Sequence, residues 1–224
     1  LHTAYRRQRQ MCIRDRFLRV RDGIAESKPI KGTIARCDDP VEDARRVVEL
    51  QTDAKNRAEN LMIADLVRND LSRVCQPGTV EVPRLMAIET YETVHQMVTT
   101  VRGRLRADAR LVDVLRATFP GGSMTGAPKE RSVEILDSLE AGSRGIYSGI
   151  LGYLGLDRTA DLSIVIRTLV RAGKQVTVGA GGAIVAASQP DAEWREKNLK
   201  AAAPLAALTE AMQAFHQPED DPAT

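Results

Sequence analysis

The sequence predicts a mixed αβ (α+β) fold with largely antiparallel sheet. Segments with helical periodicity alternate with strand-like runs, and short turns at residues 157–158 and 173–174 join the late strands. Turns this short connect antiparallel neighbours, because a parallel pair needs a crossover of a dozen or more residues. The chain has 224 residues, 43% hydrophobic and 28% charged, which is ample material for a core.

The predicted elements follow from periodicity and turn residues. Proline opens three of the helices, as expected for a residue that fits the first helical turn. The predicted helices cover residues 41–51, 53–73, 111–117, 128–139 and 190–213. The predicted strands cover residues 17–20, 80–82, 85–89, 96–104, 145–156, 160–171, 175–180 and 183–187, with extended chain at 28–33. A Gly-rich loop at 121–129 leads into the fourth helix.

The two ends of the chain differ from the rest. Residues 1–21 hold seven arginines against one acid, Asp15, and residues 1–16 show no structural period. We expect 1–16 to be a non-native or disordered leader, and the alternative is a basic arm for nucleic acid. Residues 17–213 are expected to form the catalytic domain, and the acidic segment 214–224 a disordered tail.

Bulk properties exclude several classes of protein. The formal net charge of +2 is too small to indicate nucleic acid or an anionic membrane as the partner. No apolar run approaches the roughly 20 residues that span a bilayer. The three cysteines show neither metal-ligand spacing nor a disulfide framework, so we expect a reducing cytoplasm.

Three glutamates are candidate metal ligands. Glu59 lies on an apolar helix face, where a carboxylate is costly unless it is paired or bound to metal. Glu193 and Glu196 share a face of the last helix, with Lys200 one turn further on. Carboxylates from two helices can hold a hard divalent cation. The alternative for the last helix is a solvated face with a Glu196–Lys200 ion pair.

Other residues indicate an anion site and a reactive group. The Gly runs 121–126 and 179–182 let backbone N–H groups approach an anion, although each alone is more often a turn. Arg167 can bind a carboxylate through two hydrogen bonds, or lie on the surface. Lys31 becomes a nucleophile if burial lowers its pKa, although most lysines are solvated. His95 can donate a proton near neutral pH, or be structural.

Together these motifs resemble the chorismate-utilising enzyme family. The resemblance extends from about residue 17 to residue 207, and several long motifs in order are more specific than any one alone. The motifs are 29–33 (PIKGT), 58–62 (AENLM), 66–70 (LVRND), 119–123 (FPGGS), 125–129 (TGAPK), 166–168 (IRT) and 179–182 (GAGG). The resemblance implies a layered α/β/β/α fold, truncated at its N-terminal end.

The resemblance also implies a reaction. Lys31 in PIKGT is typical of the aminodeoxychorismate synthase branch, whereas anthranilate synthases typically carry alanine there. Lys31 then attacks C2 of chorismate and expels the C4 hydroxyl, after which ammonia adds at C4 and the lysine leaves. The product is 4-amino-4-deoxychorismate, a precursor of 4-aminobenzoate and folate. The family implies a glutamine amidotransferase, as subunit or fused domain, that supplies the ammonia.

The family's site residues carry over by motif. Lys31 and His95 are the expected catalytic residues, and Glu59 and Glu196, with Glu193 close by, the expected Mg²⁺ ligands. The expected substrate-binding residues are Gly32, Thr33, Ser123, Tyr147, Arg167, Gly181, Gly182 and Lys200.

Two departures from the family pattern lower the activity we expect. Asp15 stands where the family has a glutamate that acts as general acid, and its side chain is one methylene shorter. The family's synthase unit is also about twice this length. We therefore expect this polypeptide to be an incomplete fragment with little activity, or one that aggregates through unpaired strand edges. The alternatives are an anthranilate synthase component I and, remotely, a basic-arm nucleic-acid binder.

Overall fold

The structure, a computed structural model, describes residues 16–186 and 188–216, without the side chains of 214–216. Asp15, most of the expected leader and residues 217–224 of the expected tail therefore lie outside the described residues. Arg16, which the sequence assigned to the leader, is the first residue of the first strand, and 214–216 continue the last helix.

The chain divides into two compact units. The described part of the first unit comprises residues 16–142 and Ile150–Ile164. The second unit comprises Ser143–Gly149 and the described residues from Val165 onward.

The described residues of the first unit form a seven-stranded antiparallel sheet. Its strands are β1 (Arg16–Arg21), β2 (Ile24–Ser27), β3 (Ile30–Ala35), β4 (Glu81–Thr90), β5 (Val94–Arg104), β6 (Ile150–Leu154) and β7 (Ala160–Ile164). Strand β5 pairs with β4 on one side and with β3 and then β2 on the other. Strand β1 joins β2 to β7, and β6 forms the far edge of the sheet.

Residues of opposite charge lie opposite one another across four neighbouring strands. Arg19 of β1 lies opposite Glu26 of β2, and Glu26 lies opposite Arg102 of β5. Arg102 in turn lies opposite Glu81 of β4, with 2.6 Å between its Nε and the carboxylate. Directly opposed side chains of opposite charge favour one register, since a shift of one residue would turn them to the other face.

Five helices accompany the sheet in the first unit. They are α1 (Pro40–Thr52), α2 (Ala54–Ser72), α3 (Leu111–Thr118), the single turn α4 (Gly122–Thr125) and α5 (Lys129–Leu139). Two aspartates begin the long helices as N-caps. The carboxylate of Asp39 accepts a hydrogen bond from the Val41 N–H at 2.9 Å, and that of Asp53 from the Asn56 N–H at 2.6 Å. These caps explain why α1 and α2 are two helices and not one.

The core of the first unit lies between the sheet and helices α2 and α3. Its buried members come from β1, β2, β5, β7, these two helices and the turn that follows α2. They are Phe17, Leu18, Val20, Ala25, Ala64, Leu71, Val74, Cys75, Val101, Val114, Ala117, Ala160 and Leu162.

The second unit contains a hairpin and a long helix. The hairpin consists of β8 (Leu169–Ala172) and β9 (Gln175–Val178), joined by a turn in which Gly173 has a φ of +60°. Helix α6 (Pro190–His216) includes Pro204 within its length, and Lys197 lies 3.5 Å above the Trp194 ring. Among the helices of the described residues, none is both long and apolar enough to cross a bilayer.

The mixed αβ class with antiparallel sheet is confirmed, but several strand boundaries differ from prediction. Predicted strand 160–171 divides into β7 and β8, because Arg167 has a φ of +50° that interrupts extended chain. Residues 80–82 and 85–89 instead belong to one strand, β4, whose pairing is irregular around Met86 with a φ of +53°.

Three further predictions were wrong or incomplete. Strand β2 was missed, since its four residues are too few to show a period. The strand predicted from residue 145 begins at Ile150, after turns at Gly145 and Ser148 with positive φ. Residues 183–186 form no strand, and the Gly-rich segment 179–182 before them is also irregular.

A cavity-forming substitution tests the core. We expect Leu71→Ala to lower the free energy of unfolding by about 2–5 kcal/mol, because Leu71 is fully buried and its neighbours would collapse only partly. Urea unfolding followed by circular dichroism measures this. The matched control is Leu139→Ala, also in a helix but 76% exposed, which should change stability little. Equal effects of the two substitutions would contradict this core.

Candidate functional site

Lys31 and Glu59 form a mostly buried ion pair between β3 and α2. The Lys31 Nζ lies 3.2 Å from the Glu59 Oε2, and the two side chains are 17% and 16% exposed. Removing one partner of such a pair would leave an uncompensated charge away from water. Two candidate residues from different sequence motifs are therefore in direct contact.

Gly32 lets strand β3 approach the helices closely. Its φ is +88°, a conformation that favours glycine. A Cβ at this position would lie 2.9 Å from Leu50 of α1 and 3.0 Å from Asn56 of α2. The pairing between β3 and β5 is also irregular between Ile30 and Thr33. Because of this irregularity Lys31 reaches α2 while Thr33 remains in register with β5.

Asp43 of α1 is a buried acceptor that links three elements. Its carboxylate accepts hydrogen bonds from the Arg36 guanidinium (2.9 and 3.2 Å) and from the Cys37 N–H (3.0 Å). It also lies 2.9 Å from the Nε2 of His95 in β5. The Cys37 N–H, the Arg36 guanidinium and the His95 ring together hold the pKa of Asp43 well below its ordinary value.

Both ring nitrogens of His95 have partners inside the first unit. Its Nε2 contacts Asp43, and its Nδ1 lies 2.9 Å from the Thr90 Oγ1. The ring is only 2% exposed. This geometry is that of a structural histidine, which was one of the two alternatives from the sequence. The catalytic role of His95 stays a prediction.

Polar side chains of α2 are also tied to neighbouring elements. Buried Asn60 donates to the Met97 carbonyl at 3.3 Å and accepts from the Thr99 hydroxyl. Asp70 accepts from Lys129 at 2.6 Å, and burial raises the Asp70 pKa although Lys129 opposes the shift. The Asn60 contacts hold α2 against β5, and the Asp70–Lys129 pair holds the start of α5, and hence the Gly-rich segment before it, against α2.

Ser123 lies half-buried in α4, within that Gly-rich segment. A Cβ on the preceding Gly122 would lie 2.8 Å from the Leu66 side chain, so the segment packs directly on α2. The segment begins a helical turn and is not the open loop predicted from its composition. Its glycines serve close packing, and the substrate contact expected of Ser123 stays a prediction.

The second unit brings several other predicted residues together. The glycine run lies against Tyr147, since a Cβ on Gly179 would be 2.3 Å from the Tyr147 ring and one on Gly181 3.0 Å from its hydroxyl. A Cβ on Gly182 would similarly lie 3.2 Å from the Glu193 carboxylate. The run is therefore constrained by close approach of these side chains, and its contact with an anion stays a prediction.

The charged candidates of α6 also have partners. Lys200 contacts Glu196 at 2.7 Å and donates to the Gly181 carbonyl at 3.2 Å. The buried Glu193 accepts from the Ser188 hydroxyl at 2.7 Å. The Glu196–Lys200 pair is the one that the solvated-face alternative predicted, and it also ties the helix to the glycine run.

Arg167 is exposed and adopts a left-handed backbone conformation, with a φ of +50°. Residues other than glycine rarely adopt this conformation, and such outliers cluster at ligand sites. The sequence predicted that Arg167 ends a strand. In the structure it lies instead between strands β7 and β8.

No three His, Cys, Asp or Glu side chains converge within either unit among the described residues. Glu59 belongs to the first unit, whereas Glu193 and Glu196 belong to the second. The ligand set expected from the sequence therefore stays a prediction. The donor chemistry nevertheless fits a hard cation, because all three groups are carboxylates; Glu59 and Glu193 are shielded, whereas Glu196 is exposed.

Sequence reasoning missed Asp43, Gln96 and the Asp70–Lys129 pair. Asp70 and Lys129 lie inside recognised motifs, so their pairing could have been suspected from the two motifs. Asp43 gives no local signal, because its role depends on a histidine 52 residues away.

The sequence profile of the chorismate binding enzyme family matches residues 14–206. This match covers most of the chain, which therefore belongs to the chorismate-binding enzyme family.

Two relatives and one solved structure show how this chain compares with longer proteins. An aminodeoxychorismate synthase of Streptomyces pristinaespiralis is 58% identical over 198 residues, which cover 88% of this chain and 28% of that protein. Aminodeoxychorismate synthase component 1 of Escherichia coli (strain K12) is 47% identical over 182 residues, which cover 81% and 40%. Anthranilate synthase component I from Streptococcus pneumoniae TIGR4 has a crystal structure with a TM-score of 0.77 and 34% identity, covering 85% of this chain and 42% of that chain. The chain thus spans less than half the length of each of these proteins.

The lowered pKa of Asp43 predicts how stability depends on pH. A carboxyl group whose pKa is lower in the folded state stabilises it above the unfolded value of about 3.9, and this contribution is lost as the pH falls towards the folded value. In Asp43→Asn we therefore expect a shallower loss of stability below about pH 5 than in the unsubstituted chain. Urea unfolding at a series of pH values measures the slope.

The matched control is Asp22→Asn, at an exposed position in the turn between β1 and β2. The backbone there is left-handed, a conformation that asparagine also adopts. This control should keep the slope of the unsubstituted chain. A slope in Asp43→Asn as steep as that of the control would contradict the stabilising role of the Asp43 charge.

Proposed function

We propose that the protein containing this chain aminates chorismate at C4, giving 4-amino-4-deoxychorismate for the synthesis of 4-aminobenzoate and folate. The ion pair of Lys31 with Glu59 is the observation that carries the proposal, because it holds an amine in a shielded position on β3. The identities of 58% and 47% with two aminodeoxychorismate synthases support it.

The proposed reaction uses Lys31 as nucleophile. Its neutral amine forms a bond to C2 of chorismate, both ring double bonds shift, and the C4 hydroxyl leaves as water with the proton that the Lys31 nitrogen gives up. Ammonia then forms a bond at C4, the double bonds shift back, and the bond between C2 and Lys31 breaks. In this second half the entering nitrogen loses a proton and the departing Lys31 nitrogen regains one, so the net change replaces a hydroxyl with an amino group and releases water.

The carboxylate beside Lys31 bears on this chemistry. The Lys31 nitrogen can attack only as the neutral amine, because an ammonium is not a nucleophile. The amine must therefore give up its proton before it attacks, and Glu59 is a nearby acceptor for that proton at 3.2 Å.

The family motifs supply the proposed substrate-binding residues. Arg167, Tyr147 and the amides of Gly181 and Gly182 would bind the enolpyruvyl carboxylate, and Lys200 would add positive charge. Gly32, Thr33 and Ser123 would line the site on the side of the chorismate ring.

Mg²⁺ is the proposed cofactor, with Glu59 and Glu196 as ligands and Glu193 close by. A bound divalent cation would bind the ring carboxylate and offset negative charge as the hydroxyl departs. Glu59 suits this role because it offers a shielded carboxylate, the kind of oxygen ligand that Mg²⁺ prefers.

Ammonia would come from glutamine through an amidotransferase subunit or fused domain. The designation of the Escherichia coli relative as a component 1 supports a partner of this kind. A cytoplasmic location remains a prediction from the cysteine content.

The second candidate is anthranilate synthesis, which the similarity to an anthranilate synthase component I favours. Both activities begin from chorismate and ammonia, so the product decides between them. Fluorescence of anthranilate would identify the second candidate, whereas liquid chromatography with mass spectrometry would identify the 4-amino product.

A covalent adduct on Lys31 is the direct test of the proposed reaction. Incubation with chorismate and Mg²⁺ but without ammonia should give a protein mass increased by chorismate less one water, measured by intact-protein mass spectrometry. Lys31→Arg should give no adduct, because it keeps a cation beside Glu59 but has no amine of suitable basicity.

The control for this experiment is Lys174→Arg, in the turn between β8 and β9, which should form the adduct normally. An adduct of the same mass in Lys31→Arg would overturn the assignment. So would an unsubstituted protein that binds chorismate but forms no adduct.

Removal of the Glu59 charge tests the metal assignment without relying on activity. Mg²⁺ together with chorismate should raise the thermal unfolding midpoint of the unsubstituted chain, since both bind the folded state. In Glu59→Gln the additional increment due to Mg²⁺ should disappear. Differential scanning fluorimetry measures the midpoint.

The matched control is Glu49→Gln, at an exposed glutamate of α1, which should keep the Mg²⁺ increment. Persistence of the increment in Glu59→Gln would remove Glu59 from the proposed metal ligands.

A further inference from the structure

Gln96 is a buried side chain with an unsatisfied polar atom. It is 2% exposed, and its Oε1 has no hydrogen-bond partner. Among the side chains that the structure describes, no other buried nitrogen or oxygen atom is in this state. Buried polar groups in folded proteins are nearly always paired, so an unpaired one needs an explanation.

The neighbours of Gln96 in the sheet do not supply the missing donor. In register with it lie Thr33 of β3 and Glu89 of β4, whose side chains share its face of the sheet. Thr33 accepts from the Gln96 Nε2 at 3.4 Å. Glu89 is held by Lys28 at 3.1 Å and by Tyr91 at 2.6 Å.

Glu89 is also unsuited to donate. Although burial opposes the shift, the hydrogen bonds from Tyr91 and Lys28 lower its pKa, so the carboxylate stays ionised and accepts only. The acceptor on Gln96 is therefore left for a donor from outside the described residues.

His95, which precedes Gln96 in β5, has partners for all its polar side-chain atoms. His95 and Thr99 face the helices, where they pair with Asp43 and Asn60. Successive side chains of a strand point to opposite faces, so Gln96 points away from these helices. Of the two neighbours, His95 has both polar atoms occupied and Gln96 has one available.

We infer that Gln96, with its free carboxamide oxygen, is a ligand-binding residue that accepts a hydrogen bond from an N–H or O–H of the reacting molecules. This inference rests on the proposed function, and on the contact of Gln96 with Thr33, which that proposal places at the ring side of the substrate. The donor is either a hydroxyl of chorismate or the entering ammonia. Both present a polar hydrogen to an acceptor, and they are distinguished by experiment.

The test compares Gln96→Met with the unsubstituted chain. Methionine has a similar shape and no strong acceptor, so loss of one neutral hydrogen bond should weaken binding up to about tenfold. Isothermal titration calorimetry measures chorismate affinity, and the dependence of product formation on ammonium concentration measures ammonia. Weaker chorismate binding identifies the hydroxyl as the donor, and a changed ammonium dependence alone identifies ammonia.

Stability without ligand supplies an independent readout. If the oxygen awaits a ligand, Gln96→Met should raise the unfolding midpoint of the ligand-free protein, because an unsatisfied polar group is removed. The control is Thr100→Val, an isosteric change at a buried position on the same face of β5, which should leave both ligand responses unchanged.

The possible failures are distinguishable. The inference would be overturned if Gln96→Met left both chorismate binding and the ammonium dependence unchanged and lowered the unfolding midpoint. Gln96 would then be structural. Absence of chorismate binding by the unsubstituted full-length protein that contains this chain would instead contradict the proposed function itself.

Discussion

Strand β5 is buried along its middle while it carries a run of polar side chains. His95, Gln96, Thr99 and Thr100 are all at most 5% exposed. An unpaired polar group in such a position costs about 1–3 kcal/mol, so each of them requires a partner. Asp43 and Asn60 supply partners from α1 and α2, and these contacts fix both helices on the sheet. The placement of Lys31 depends on the same arrangement, because β3 pairs with β5 while its lysine reaches α2.

Local chemistry explains which elements were predictable from the sequence. Helices α1 and α2 show clear helical periodicity of apolar residues and begin at aspartate N-caps. Their predicted bounds agree with the structure to within about two residues, the usual uncertainty of helix ends. The errors fall where one residue changes the backbone. Arg167 has a positive φ that no pattern of apolar residues reveals, and it divides one predicted strand into two. Strand β2 is defined by its pairing with β1 and β5 and not by its own four residues.

The candidate site shows the same division between local and long-range information. Motif resemblance was enough to single out Lys31 and Glu59, which are 28 residues apart in the chain and in contact in the fold. It could not indicate that both nitrogens of His95 are occupied, because Thr90 and Asp43 come from other elements. Nor could it distinguish Gln96 from its neighbour, since the difference arises from which face of β5 each side chain occupies.

Glu59 is the point at which the proposed roles meet. One carboxylate beside a lysine can accept a proton from the amine, balance its charge or bind a divalent cation, but two positive charges at one carboxylate repel each other. Under the proposed function, a cation at Glu59 would therefore compete with Lys31 for the same carboxylate. An arginine at position 31 would keep its charge and oppose the cation. The nucleophile and the metal ligand are thus expected to be coupled through electrostatics, and the short Lys31–Glu59 distance is the reason.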